Sequence, residues 1–310
     1  MPGKVDLKTK HLLTIRDLSK AEIQGLLQRA ADLKAGWPRG ERPRPLQDKS
    51  IVLLFEKHST RTRISFDVGI GQLGGQAIFM SSTESQITRG EPLPDTARIL
   101  SRYADGLVVR TFGQEIVKEL AQHGTIPVIN GLTDLYHPCQ VLSDLLTVQE
   151  RLGDVTEPVY CWLGDGNNMA HSWLEAAALL KLELRLACPE GFEPQAEIVS
   201  HAREQGARIV LTQDPREAIA GAQVVSTDVW ASMGQEDQAP KRKEAFSAYQ
   251  LDQELLSRAD SKAMVMHCLP AHRGEEISAE VLEGPQSVVW DQAENRLHMQ
   301  KAILESLAGD

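Results

Sequence analysis

The chain has 310 residues, enough for two domains. Hydrophobic residues make up 42% of it, so a large core is available, and the formal net charge is −10. An acidic surplus of that size argues against a nucleic-acid surface and against an anionic membrane surface, so any site for an anion must be local. Met1-Pro2-Gly3-Lys4-Val5-Asp6 lacks a signal-peptide core, and no apolar run approaches transmembrane length. The four cysteines, Cys139, Cys161, Cys188 and Cys268, show no paired metal spacing. Cys161 and Cys188 lie in apolar strand-like runs and read as buried thiols, which fits a reducing cytoplasm.

Ser19 with Glu22 forms a capping-box pattern; Ile23, Leu26, Leu27 and Ala30 then recur at helical spacing up to Gly36. Pro38 to Pro45 is a proline-rich connection whose Arg39, Arg42 and Arg44 read as a solvated loop. The apolar runs 51–55 and 76–80 predict strands, with a helix between them ending at Gly74-Gly75. Residues 81–93 read as a long polar loop, and loops of that length inside a compact domain are usually lids or binding loops. A helix from Pro94-Asp95 to about Tyr103 follows, then a strand at 107–109 with Arg110 at its carboxyl end, then a strand at 126–130. Pro138 opens a long helix that ends near Gly153 and is the candidate connection between domains. A second alternation begins at the strand 159–163. It continues as helix 170–181, strand 183–188, helix 194–205, strand 208–211, short helix 215–220, strand 223–227, helix 251–259 and strand 263–266. A final helical segment spans 296–307. Neither an internal repeat nor a low-complexity tract is visible. Strands alternating with helices predict α/β architecture: two doubly wound domains, each with a central parallel sheet flanked by helices. In such sheets ligands gather outside the carboxyl ends of the strands.

Ser59-Thr60-Arg61-Thr62-Arg63 sits at one of those ends, in the first turn of the helix. Cations there oppose a helix dipole that favours anions. Backbone N–H groups, hydroxyls and a guanidinium together make a site for a phosphate-like dianion. The plainer reading is a Ser/Thr cap with solvated arginines. Residues two apart on a helix diverge, so Arg61 and Arg63 cannot both face one ligand; one is expected on the anion and the other holding the loop.

Gly164-Asp165-Gly166-Asn167-Asn168 partly resembles a dinucleotide fingerprint, but Met169 stands in the third glycine's place and no ribose-binding acid ends the next strand. The alternatives are a turn presenting Asn168 to a small polar ligand and a tight turn with capping asparagines. Asp228 ends another strand, where an ammonium can pair with it, and the Ser232-Met233-Gly234 that follows suggests a loop closing on a ligand; an Asp-capped surface loop is the plain alternative. His267-Cys268-Leu269-Pro270 invites a cysteine-hydrolase reading, yet adjacent side chains on a strand point to opposite faces, so His267 is badly placed as base. Zinc has no second pair at ligand spacing there, Leu269–Pro270 is a candidate cis bond, and Cys268 alone reads as a buried thiol. His137 and Gln140 share one helix face just beyond a strand end, and Arg296 alone reads as a surface arginine.

Taken together, Ser-Thr-Arg-Thr-Arg at 59–63, His-Pro-x-Gln at 137–140, Asp-Gly-Asn-Asn at 165–168, Ser-Met-Gly at 232–234 and His-Cys-Leu-Pro at 267–270 resemble the ornithine carbamoyltransferase family, in its order and over nearly the whole chain. The first two motifs are shared with aspartate carbamoyltransferases; the Ser-Met-Gly loop and His-Cys-Leu-Pro belong to the ornithine branch. The resemblance implies carbamoyl transfer from carbamoyl phosphate to the side-chain amine of L-ornithine, in a cytoplasmic homotrimer or trimer-based assembly, without metal or organic cofactor, nucleic acid or membrane. It implies a carbamoyl phosphate-binding domain over 1–134 completed by the helix 292–310, an interdomain helix 135–152, and an ornithine-binding domain over 153–291. It implies that Ser59, Thr60, Arg61 and Thr62 bind the phosphate with Arg110, and that His137, with Pro138, Cys139 and Gln140, meets the carbamoyl end. Arg296 helps hold carbamoyl phosphate, and Gln86 reaches it from a neighbouring subunit. Asn168, Asp228, Ser232 and Met233 hold the amino-acid end of ornithine. Cys268 and the Leu269 carbonyl meet the side-chain amine and complete the carbamoyl phosphate set. The catalytic groups implied are Arg61, Arg110, His137 and Cys268. The alternatives are a carbamoyltransferase for putrescine or an acylated ornithine, and a non-catalytic ligand sensor on the same fold.

Overall fold

The strand Ser50–Phe55 (β1) is apolar at five consecutive positions and buried at all five, the mark of a parallel strand covered on both faces. The computed structural model describes residues 3–81, 90–231 and 236–310. The chain divides into two compact units, Met1–Leu146 with Asn295–Asp310, and Thr147–Glu294.

In the first unit the chain runs through α1 (Lys20–Gly36), β1, α2 (Thr60–Gln72), β2 (Gln76–Ser81), α3 (Leu93–Tyr103), β3 (Gly106–Arg110), α4 (Gln114–His123) and β4 (Val128–Leu132). The four strands form a parallel sheet in the order β2-β1-β3-β4. Winding reverses between β1 and β3, where Phe55 faces Arg110 in register. That reversal is the point at which doubly wound sheets hold ligands. The capping box forms as expected: Ser19 Oγ accepts from Glu22 N, and Glu22 accepts from Ser19 N. The helix α4 was not foreseen, and β4 begins two residues later than expected. Residues 82–89, including Gln86 of the long loop, lie outside the described residues.

The helix α5 (Pro138–Leu152) leads into the second unit, which continues through β5 (Val159–Leu163), α6 (Asn168–Leu180), β6 (Glu183–Ala187), α7 (Ala196–Glu204), β7 (Arg208–Thr212), α8 (Pro215–Ile219) and β8 (Val224–Thr227). It ends with α9 (Ala239–Phe246), α10 (Gln253–Leu256), β9 (Met264–His267), α11 (Ala279–Leu282) and α12 (Val289–Ala308). These five strands are also all parallel, in the order β7-β6-β5-β8-β9, and winding reverses between β5 and β8. Both sheets carry flanking helices, as the alternation of elements predicted. The expected helix over 251–259 shrinks to the four residues of α10, and α9 and α11 appear where none was expected. Among the described residues no helix is long and apolar enough to cross a membrane.

Both unit divisions fall inside helices, α5 and α12, so neither boundary coincides with a loop. From Asn295 onward α12 belongs to the first unit and is fixed there by polar contacts. Arg29 of α1 makes a bidentate pair with Glu305, at 2.6 and 2.8 Å. Lys34 Nζ reaches Asn295 Oδ1 at 2.7 Å, and Lys301 Nζ reaches Gln72 Oε1 of α2 at 2.9 Å. A buried lysine is costly to keep charged, and burial brings the Lys301 pKa down to about 8. The Arg29 and Glu305 side chains are only 6% and 5% exposed. Removing one partner leaves the other charge buried, at a cost of about 3–5 kcal/mol. Glu305→Ala is therefore expected to lose most of the first unit's margin of stability in urea denaturation, while a Glu305→Ala/Arg29→Met pair recovers much of it.

Candidate functional site

In the first unit the site grows from the mouth of α2. Ser59 is the N-cap, and its Oγ accepts from Thr62 N at 3.1 Å. This cap fixes Thr60, Arg61 and Thr62 in the first turn, where free N–H groups favour an anion. Arg63 is exposed and its guanidinium lies 3.5 Å from the Phe79 ring centroid, so it braces α2 against β2 by a cation–π contact. Arg61 is half-buried and, among the described residues, makes no hydrogen bond or ion pair. The two arginines thus diverge as helical spacing predicted.

Thr62 is buried, and its Oγ1 accepts from two guanidiniums: Arg296 Nη2 at 2.8 Å and Arg110 Nη1 at 3.5 Å. Arg110 arrives from the end of β3. Beside it the β3–β4 register skips Gly131, pairing Val109 with Asn130 and Arg110 with Leu132. Such bulges re-aim side chains next to functional sites. A Cβ at Gly131 would stand 3.2 Å from Val109 O and 3.7 Å from the Thr62 methyl, so a small residue is wanted at this crossing.

Arg296 extends from α12 and also donates to Gln140 Oε1 of α5. His137 is buried just before α5, and its pKa lies well below the ordinary histidine value. Burial is the larger cause, and the charges of Arg296 and Arg110 add to it. The imidazole is therefore neutral near pH 7 and acts as a polar hydrogen-bonding group rather than a third cation. Pro138 and Cys139 open α5; the Cys139 thiol is pushed up to about 12 by burial and donates to Asn130 O, so it is no nucleophile. The sequence-predicted set Thr62, Arg110, His137, Gln140 and Arg296 is thus one contiguous buried cluster at the sheet's reversal, next to Ser59, Thr60 and Arg61.

In the second unit, the turn after β5 is pinned from several sides. Trp162 Nε1 donates to Asp165 O at 2.9 Å. A Cβ at Gly166 would fall 2.1 Å from Pro194 N, so this glycine exists for close packing. The space a pyrophosphate needs beside that backbone is filled, which removes the dinucleotide reading. Asn167 caps α6, accepting from Met169 N and Ala170 N, so the capping reading of the asparagines holds for it. Asn168 is the first residue of α6.

Asp228 follows β8 and gathers the rest. Its Oδ2 accepts from Asn167 Nδ2 at 3.2 Å, and its Oδ1 accepts from the Cys268 thiol at 3.0 Å. Cys268 is half-buried rather than fully buried. His267 points the other way, fully buried, with Nδ1 accepting from Leu269 N at 2.8 Å and Nε2 set 3.0 Å from Glu276 Oε1. It is not the base of a cysteine nucleophile, as the strand geometry predicted. The Leu269–Pro270 bond is cis, and Leu269 itself has φ +60°, a left-handed conformation that a branched side chain adopts at a cost of about 1–2 kcal/mol. Held strain of this kind clusters at ligand sites. Ser232 and Met233 lie outside the described residues.

Chain spacing offered no third metal ligand near His267-Cys268, but the fold supplies one: Asp228, His267 and Cys268 each bring a ligand atom within 4.8 Å of the others. Both His267 nitrogens are already engaged, which argues against its serving as a ligand.

Sequence reasoning missed Asn167 as a partner of Asp228, and missed Arg242. Arg242 is buried on α9 and donates to Asp165 Oδ2 at 2.7 Å and to Trp230 O at 2.8 Å. Burial raises the Asp165 pKa, and Arg242 opposes that rise. Flanked by Lys241 and Lys243, Arg242 looks like one more surface cation; nothing local marks it as buried.

Residues 10–150 match the family described as aspartate/ornithine carbamoyltransferase, carbamoyl-P binding domain, and residues 157–307 match its Asp/Orn binding domain. The chain belongs to the aspartate/ornithine carbamoyltransferase family. The family's second domain runs on to residue 307, whereas in space α12 joins the first unit from Asn295; the match follows chain order and the division follows packing. Within the family the chain is 54% identical over 300 residues to an ornithine carbamoyltransferase of Desulfotalea psychrophila, covering 96% of this chain and 99% of that one. It is 55% identical over 296 residues to one of Nitratidesulfovibrio vulgaris, covering 96% and 98%. The solved ornithine carbamoyltransferase of Pyrococcus furiosus superposes with a TM-score of 0.93 at 42% identity, over 99% of each chain, and that of Burkholderia thailandensis with 0.89 at 45%, over 97% and 99%.

The neutral His137 generates a prediction. Its folded pKa lies below the unfolded value of about 6.5, so the unfolded chain binds the proton first as pH falls. Its contribution is present above pH 6.5 and is lost as pH drops below that value. The urea midpoint is expected to fall between pH 7 and pH 5, and His137→Gln should flatten that part of the profile.

Proposed function

We propose that this chain transfers the carbamoyl group of carbamoyl phosphate to the side-chain amine of L-ornithine, giving L-citrulline and phosphate. Carbamoyl phosphate is the ligand of the first unit: its phosphate lies against Ser59, Thr60, Arg61 and Thr62 with Arg110, and its carbamoyl end meets His137, Pro138, Cys139 and Gln140, with Arg296 beside them. L-ornithine is the ligand of the second unit, its α-amino and carboxylate groups meeting Asn168, Asp228, Ser232 and Met233. Cys268 and Leu269 take the side-chain amine and the carbamoyl group it attacks.

The observation that carries the ornithine choice is the buried Asp228 carboxylate, joined to Asn167 and Cys268. A carboxylate there attracts an amino acid rich in ammonium groups and repels one with a second carboxylate, which separates ornithine from aspartate. Putrescine has no carboxylate or α-amine for such a set to hold.

The chemistry suits these groups. An alkylammonium of pKa roughly 10 must lose its proton before it attacks. Partial desolvation beside Cys268 favours the neutral amine. Its lone pair forms the new C–N bond at the carbamoyl carbon while negative charge builds on the carbonyl oxygen, towards which Arg61, Thr62 and neutral His137 are directed. The C–O bond to phosphate then breaks, the attacking nitrogen gives its remaining extra proton to the departing oxygen, and phosphate leaves as the dianion beside Arg61 and Arg110. Binding carbamoyl phosphate first and then closing the site over ornithine keeps water away from a labile mixed anhydride.

The enzyme works in the cytoplasm as a homotrimer, in arginine metabolism. An exposed apolar patch supports the assembly: Ile64 and Val68 of α2 with Phe79 of β2 are 55%, 43% and 37% exposed. Beside it a cavity of about 440 Å³ is lined by Lys57, His58, Thr60, Arg63, Ile64 and Phe79, among others. In this reading Gln86 of a neighbouring subunit reaches carbamoyl phosphate.

Purified protein is expected to form citrulline from ornithine and carbamoyl phosphate, with putrescine a far poorer acceptor; no citrulline, or faster putrescine turnover, overturns the reading. Arg61→Gln is expected to lower turnover by at least a hundredfold in a chain with unchanged unfolding behaviour. Cys268→Ala should act mainly on ornithine, raising its KM about tenfold, the scale of one lost hydrogen bond to a charged or polarised group.

A further inference from the structure

Gln140 is held from both ends. Its Oε1 accepts from Arg296, which has donors only, and its Nε2 donates to Asp144 Oδ1 at 2.8 Å, one turn further along α5. All three are buried: Gln140 and Asp144 are each 1% exposed, and Arg296 4%. A primary amide in a site can present either its oxygen or its nitrogen, and the two ends have nearly the same shape. Here the carboxylate behind it and the guanidinium before it admit a single orientation.

We propose that Asp144 is a positioning residue that sets the polarity of the Gln140 amide, so that an acceptor oxygen, not an NH₂ group, faces the carbamoyl end of the ligand. The inference rests on the reading that Gln140 meets that end. A carbamoyl group differs from an acetyl group by an NH₂ in place of CH₃. An amide oxygen has two lone pairs; Arg296 uses one, and the second can accept from the ligand's NH₂. A flipped amide would set NH₂ against NH₂ and leave a buried donor unpaired. Asp144 thereby acts on specificity without touching the ligand: it favours carbamoyl phosphate and is indifferent to acetyl phosphate, whose methyl takes no hydrogen bond.

The test uses the full-length purified protein with carbamoyl phosphate, ornithine, and acetyl phosphate as a competitive inhibitor. In Asp144→Asn the amide loses the acceptor-only partner behind it and is held by Arg296 alone, so the flipped orientation becomes less costly. The KM for carbamoyl phosphate is expected to rise about tenfold, the worth of one misdirected buried hydrogen bond, while the ornithine KM and the acetyl phosphate inhibition constant stay within about twofold. A purely structural role for Asp144 would move all three together, and that outcome overturns the proposal. The exchange variant Gln140→Glu/Asp144→Asn restores the pattern with the partners reversed, since a carboxylate at 140 accepts from Arg296 and from the new amide. It is expected to recover most of the carbamoyl phosphate affinity lost in Gln140→Glu alone, where two carboxylates face each other. This comparison stands even if Asp144→Asn does not fold, and a double variant no better than Gln140→Glu overturns the proposal. Gln140→Ala separates the two levels. An unchanged carbamoyl phosphate KM there removes both the contact and the inference, whereas a raised KM with a normal Asp144→Asn removes the inference alone.

Discussion

The first unit depends on two guanidiniums, Arg110 and Arg296, sharing one hydroxyl oxygen on Thr62. Two like charges brought to one buried oxygen repel each other, and that repulsion grows as water is excluded. Three separate pieces of the fold hold them there: the end of β3, where the Gly131 bulge re-aims Arg110; the capped first turn of α2; and the α12 segment tied to α1 and α2 by Glu305, Asn295 and Lys301. Scaffold energy is spent on keeping cations together, and a doubly negative ligand returns it. A chain with net charge −10 can therefore still build a strongly positive point, because the positive charge is concentrated by topology and not by composition.

The same crowding explains the state of His137. Beside two guanidiniums and out of water, an imidazolium would be the most expensive group in the cluster, so the ring is neutral. A neutral ring can direct a hydrogen bond at a carbonyl oxygen without adding repulsion to the resting site. Gln140 has the same character: it is polar, uncharged and fixed in place by charged neighbours on each side.

Much of this was legible in the chain, and the gaps have physical causes. Strand ends could be read because β1, β3 and β5 are short, largely apolar runs followed by polar residues, Ser59, Arg110 and Asp165, and β8 runs directly into Asp228. Arg296 could not be read from its surroundings. On α12 the buried face carries Asn295, Arg296, Gln300, Lys301 and Glu305, so the polar residues that normally mark the solvent side lie inside, and the helix began seven residues earlier than its apolar spacing suggested. Only the family resemblance singled out Arg296. Arg242 was hidden in the same way, its neighbours being lysines. The helix α4 was overlooked although Val117 and Leu120 are buried at helical spacing, because its N-cap, Gly113, offers no side-chain capping signal. The shift in β4 follows from its bulge: a strand that carries Asn130 and Gly131 inside a sheet does not look like one.

The two units sort charge in opposite senses. The first converges guanidiniums on a hydroxyl; the second converges a thiol and an amide on a carboxylate, with Asp165 behind it matched by Arg242. Under the proposed reaction, one substrate is a dianion and the other carries two ammonium groups, so each unit suits the charge of its own ligand. Neither pole is expressed by its whole surface. Each is made by a few buried side chains at the reversal of a parallel sheet, where strand ends leave backbone groups and side chains free to converge. Ligand choice then resides in single atoms, such as which end of the Gln140 amide faces outward, and the burial of Asp144 follows from that requirement: a carboxylate in water would compete poorly for one amide hydrogen, whereas at 1% exposure it holds that hydrogen firmly.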